Sequence, residues 1–107
     1  MAYYLVTANP KPELLDELRA LLARNAFLDL RPFGRALSAS LRAARRHPDG
    51  TLVWEEEDYC RPPLAQERAA VLDRFFDSLA VEPVRAGAGW KRIDALPPIF
   101  PELAMSG

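Results

Sequence analysis

The chain has 107 residues, 50% of them hydrophobic and 27% charged, with a formal net charge of -1. That length suits one domain with one core, and the balance is that of an ordinary globular protein. A charge this close to zero gives no global field toward nucleic acid or an anionic membrane.

Residues 3–8, YYLVTA, are short, aromatic and β-branched, and read as a buried strand. Asn9, Pro10, Glu13 and Asp16 are helix-start residues. Leu14, Leu15, Leu18, Leu21 and Leu22 then recur at i, i+3, i+4 spacing and predict one apolar helix stripe, with Asn25 as its C-cap. Arg31-Pro32-Phe33-Gly34 breaks the chain. Residues 35–46, RALSASLRAARR, carry two patterns. Leu37, Ala39, Leu41 and Ala43 alternate as in a strand, whereas Phe33, Leu37, Leu41 and Ala44 fit a helix. His47-Pro48-Asp49-Gly50 is a turn signal, and it favours a hairpin in which residues 35–46 form the first strand.

The second strand of that hairpin lies in residues 51–61, TLVWEEEDYCR. Alternation places Glu56 and Asp58 on one face with Leu52, Trp54 and Cys60, and Glu55 and Glu57 on the other with Val53 and Tyr59. Carboxylates therefore fall on both faces. Either the strand stops near Glu56 and the acids are solvated, or it continues and the carboxylates line a cleft or meet arginines. In the hairpin Arg42 would lie opposite Glu55 or Glu56, depending on the register, and form a cross-strand ion pair.

Pro62-Pro63 leads into a second helix over residues 64–79. Its apolar stripe is Leu64, Val71, Leu72, Phe75, Phe76 and Leu79, with Gln66 and Glu67 placed elsewhere. Residues 81–84 form a last strand, on an edge because of Pro83. Gly87 and Gly89 mark a turn with no helix expected after it, so a phosphate loop is not read from them. Residues 96–103, LPPIFPEL, are proline-rich and extended.

The resulting order, β-α-β-β-α-β, predicts an α+β ferredoxin-like fold, an antiparallel sheet with two helices on one face. Residues 1–95 make the domain and residues 96–107 a C-terminal tail. The other sheet face is left open, so self-association as a homodimer, or binding of another protein, is expected, with Leu96, Ile99, Phe100 and Leu103 docking on a neighbour. The alternative is that the tail folds back over its own sheet.

Function is read less sharply. One reading is a small binding or accessory protein that uses the open sheet face and the tail. The other is a small-molecule enzyme of the dimeric α+β-barrel type that uses carboxylates of the strand over residues 51–60. The candidate ligand or partner residues are Trp54, Glu56, Asp58, Tyr59, Cys60 and Arg42; no catalytic residue is assigned. Cys60 and His47 alone cannot build a Cys/His zinc cluster, so no metal and no cofactor are expected. A Cys60–His47 nucleophilic pair is set aside, because the hairpin separates the two. The run of arginines over residues 30–47 faces four acids, which disfavours nucleic acid. No apolar run approaches the roughly 18 residues of a membrane span, and the N-terminus does not resemble a signal peptide. A cytoplasmic protein with a reduced thiol is expected.

Overall fold

The computed structural model describes residues Ala2–Ala104. Four strands form one antiparallel sheet: β1 (Ala2–Pro10), β2 (Arg45–Arg46), β3 (Leu52–Asp58) and β4 (Phe76–Val84), in the order β2-β3-β1-β4. A 3-10 turn at Pro12–Leu14 opens α1 (Leu15–Ala23), and α2 is Gly34–Arg42. A third helix, α3, is composite. It has an α-helical turn at Ala65–Glu67, a π-helical stretch at Arg68–Leu72 and a last α-helical turn at Asp73–Phe75. Two short helices follow β4: α4 (Ala88–Ile93) and α5 (Pro101–Ala104).

The molecule is α+β with an antiparallel sheet, as expected, but its element order is not the β-α-β-β-α-β derived above. Residues 35–46 are helical through Arg42, and the strand shrinks to two residues. Burial decides between the two patterns. The helical spacing puts Leu37, Leu41 and Ala44 in the core, at 0–1% exposure, where the strand reading would have turned Leu37 and Leu41 the same way as the exposed Ala39 and half-buried Ala43. The turn signal is real but serves only the two-residue strand, with the His47 N–H bonded to the Thr51 carbonyl at 2.9 Å. Gly34 opens α2 because the backbone of Phe27 and Leu28 crosses there; a Cβ would sit 2.3 Å from the Phe27 carbonyl oxygen.

Other boundaries move too. Asn25 does end α1 region in a left-handed turn at φ 59°. Asn9 does not cap a helix: it remains in β1 and its side-chain amide donates to Ser78 Oγ at 2.7 Å. The second long helix ends at Phe75, and Phe76 begins β4 instead of extending the stripe. Pro83 lies on an edge strand, as its missing N–H requires.

Each sheet face has its own apolar cluster. On the first face Tyr4, Val6, Ala8, Leu52 and Trp54 pack with Leu18 and Leu22 of α1, Leu37 and Leu41 of α2, and Val71, Leu72 and Phe75 of α3. On the second, Leu5 and Val53 pack under Trp90 and Ile93 of α4, with Leu96 and Val84. Over Leu5 and Val53 the second face is therefore covered by the chain itself, whereas most of β4 stays exposed. The proline-rich segment also returns to its own body. The Arg46 N–H bonds to the Pro97 carbonyl and the Ile99 N–H to the Ala44 carbonyl, both at 2.9 Å, beside β2. Phe100 and Leu103 enter the first-face core.

Leu18 and Phe75 are buried at 0% and 2% exposure. Each truncated to alanine loses transfer energy and leaves a cavity, at a cost of about 2–5 kcal/mol. Urea denaturation should show both midpoints well below wild type; midpoints near wild type would contradict this packing.

Candidate functional site

Strand β3 carries its acids into the interior. Glu55, Glu56 and Asp58 are 5%, 0% and 2% exposed, which rules out a solvated strand end. Neighbouring carboxyl groups on opposite faces are accommodated differently.

Glu55 faces α4. Its Oε2 accepts the Gly87 N–H at 2.8 Å, and its Oε1 accepts those of Gly89 at 2.8 Å and Trp90 at 3.4 Å. The first N–H groups of a helix have no partner within the helix, and a carboxylate there satisfies them and complements the dipole. The glycines are needed for that approach: Gly87 is at φ 83° and a Cβ on Gly89 would meet Glu55 Oε1 at 2.9 Å. The loop thus resembles an anion cradle, but the anion is the protein's own. A helix does follow Gly87, against expectation.

Glu56 faces the main core. The Trp54 indole N–H donates to its Oε1 at 3.1 Å, and its Oε2 is buried without a hydrogen-bond partner. Burial, then the charge of Glu67, push its pKa up to about 8. Glu56 is therefore largely a neutral acid at pH 7, as a buried carboxyl with one donor should be.

Asp58 ends the strand and organises the loop after it. Its Oδ1 accepts the Cys60 N–H at 3.1 Å and its Oδ2 accepts the Leu64 N–H at 2.7 Å, just ahead of α3. That places Glu67, 1% exposed, beside it. The Cys60 thiol donates to Glu67 Oε1 at 3.7 Å, and donor atoms of Asp58, Cys60 and Glu67 all lie within 4.8 Å of one another. Burial is the main cause that raises the Glu67 pKa, aided by Asp58. A hydrogen bond with the Gln66 backbone favours the Cys60 thiolate, but burial and the charges of Asp58 and Glu67 outweigh it and raise the thiol.

The cluster opens into a cavity of about 220 Å³ lined by Pro32, Phe33, Arg35, Ala36, Glu57, Asp58, Tyr59, Cys60, Gln66 and Glu67. One wall, from the residues just before α2 and its first turn, combines apolar Pro32, Phe33 and Ala36 with the cation Arg35; the other carries the acids and comes from the end of β3 and from α3. A larger, more open depression of about 430 Å³ lies at the other end of β3, among Pro10, Pro12, Arg46, His47, Pro48 and Pro97. No acid lines it.

Of the residues singled out from sequence, Asp58, Tyr59 and Cys60 line this cavity. Trp54 and Glu56 lie beneath it, in the core. Tyr59 is 66% exposed and its hydroxyl donates to Glu57. Arg42 is not in the β2–β3 ladder, where Arg45 and Arg46 oppose Val53 and Leu52; its guanidinium, at the end of α2, donates to the Leu22 carbonyl at 2.7 Å. The expected cross-strand pair therefore does not form. His47 lines the far depression and does not meet Cys60. Glu67 was missed. Its signal was present: Leu64, Glu67 and Val71 follow i, i+3, i+7 spacing, which sets Glu67 on the buried stripe. Phe33 and Arg35 join the site only because residues 34–42 are helical.

No family model, curated protein or solved structure matches the chain.

Glu56 gives the fold a pH dependence. Its folded pKa of about 8 lies above the ordinary glutamate value of 4.5, so the folded state holds the proton more tightly. That stabilisation is full below the unfolded pKa and is lost as pH rises through about 8, a linkage on the order of 5 kcal/mol. In metal-free buffer, Glu56→Gln should therefore gain stability relative to wild type as pH rises from 5 to about 8. Equal pH slopes for the two proteins in chemical denaturation would show that Glu56 is ionised in the fold.

Proposed function

We propose that the protein binds a small ligand in the cavity at the end of β3, through a positively charged group of that ligand. The observation that carries this reading is the convergence of Asp58, Glu67 and the Cys60 thiol on one 220 Å³ space. Among the described residues, no ion pair involves these acids. Crowded carboxyls raise one another's pKa, and an incoming cation relieves that repulsion. The apolar wall of Pro32, Phe33 and Ala36 suits a short hydrocarbon part. The volume is below that of usual drug-sized sites, which favours a ligand smaller than a nucleotide.

This reading keeps the strand carboxylates as the functional groups and moves the action from an open sheet face to the strand end. It also fits an enzymatic role, in which Glu67, lining the cavity with a raised pKa, would supply a proton. The ferredoxin-like assignment belongs to the same proposal. The strand order and antiparallel pairing support it, while the added α2 and the two-residue β2 depart from the pattern. A cytoplasmic location remains part of the proposal, supported by the free cysteine. No helix among the described residues is long and apolar enough to cross a membrane.

Small primary amines and alkylguanidines, titrated with NMR detection, should shift the resonances of Phe33, Cys60 and Glu67, while isosteric alcohols and carboxylates should not. Glu67→Gln should weaken that binding about tenfold, or 1.4 kcal/mol. Equal binding of neutral and cationic compounds, or shifts confined to the far depression, would contradict the proposal.

A further inference from the structure

We infer that Asp58, Cys60 and Glu67 form a site for one divalent transition-metal ion of the zinc class, with a coordination position open to the cavity. The inference deepens the ligand-binding reading and rests on it, since the same cavity supplies the path for the ion and for anything bound to it.

Three observations carry it. The first is spacing. Two ligands on one tetrahedral zinc, at roughly 2.0–2.3 Å from the metal, lie about 3.3–3.7 Å apart. Cys60 Sγ and Glu67 Oε1 are 3.7 Å apart, and all three donors fall within 4.8 Å. The thiol–carboxyl pair, a hydrogen bond in the metal-free protein, thus already stands at the separation of two ligands on one ion. The second is an oxygen without a partner. Glu56 Oε2 is fully buried and makes no hydrogen bond. It shares the β3 face with Asp58, and Glu67 is the charge that acts on it most strongly. The third is the donor set. One thiol and two carboxyls suit a borderline ion; Mg²⁺ and Ca²⁺ take six or more hard oxygen ligands and leave a thiol unused.

The fold also holds the ligands in place. Both Asp58 oxygens are oriented by backbone N–H groups, as outer partners orient metal ligands elsewhere. The π-helical stretch begins directly after Glu67, and such stretches are frequent at functional sites. The sequence conceals the site because its third ligand comes from α3, seven residues after Cys60, in no recognised Cys/His spacing.

The test uses the reduced full chain, freed of metal by a chelator. Calorimetric titration with Zn²⁺ should give one ion per chain. Titration with Co²⁺ should give a thiolate-to-cobalt charge-transfer band, absent in Cys60→Ser. Zn²⁺ should slow alkylation of Cys60 by iodoacetamide in the wild-type protein, a readout that holds even where a variant fails to fold. Glu67→Gln should weaken Zn²⁺ at least about tenfold, and the surface control Asp94→Asn should not change it. Co²⁺ binding without the band, or unchanged alkylation at saturating Zn²⁺, overturns the inference. If Zn²⁺ does not bind while amines still enter the cavity, the metal site is wrong and the ligand-binding reading stands. If neither binds, both are wrong.

Discussion

Strand β3 lies between two layers of its own chain, and the rest of the structure depends on how that burial is made tolerable. Leu52, Val53, Trp54, Glu55 and Glu56 are all at or below 5% exposure. Apolar residues need only neighbours. Two consecutive glutamates need partners, because a buried polar group without one is costly. Glu55 obtains backbone N–H groups from the start of α4, and this ties the chain after β4 onto the second sheet face. Glu56 obtains the Trp54 indole and keeps its proton. The same covering closes both faces over the central strands, with Phe100 and Leu103 packed in the first-face core and Leu96 against the second, while the edge strand β4 stays largely exposed.

The chemistry of the site follows from where that covering ends. At Asp58 the strand leaves the core, and the next few residues turn back into α3. The turn brings a carboxyl from the strand, a thiol from the loop and a carboxyl from the helix to one point. Their ligating atoms lie within 4.8 Å of one another beside the cavity proposed to take a small partner. The far depression shows the contrast: it is larger, but its proline-rich lining has no such convergence.

Much of this was legible in the sequence, and the misses share a cause. The apolar stripe of α1, β1 and the central position of residues 51–58 follow from local periodicity, which is dominated by one burial surface at a time. Residues 35–46 satisfy two periods at once, and only the packing of Leu37 and Leu41 against the sheet resolves the conflict. The turn at residues 47–50 was read correctly, yet turn chemistry does not fix how long the flanking strands run. Phe76 and Leu79 fit the stripe of the preceding helix, but they pair with Pro10 and Ala8 of β1, a long-range gain that no local pattern reveals. Glu67 was discounted for its charge although its spacing placed it inside. Glu55 and the Gly87–Gly89 loop are 32 to 34 residues apart, so neither predicts the other.

The central claim is that β3 carries a neutral carboxylic acid in a covered interior, and the most direct test is the carboxyl carbon of Glu56 itself. In metal-free protein labelled with ¹³C at glutamate side chains, with Glu56→Gln used for assignment, that signal should titrate near pH 8. A Glu56 carboxyl that titrates near the ordinary glutamate value of 4.5 would mean that water or a cation reaches it and that the double-covered β3 described above is wrong.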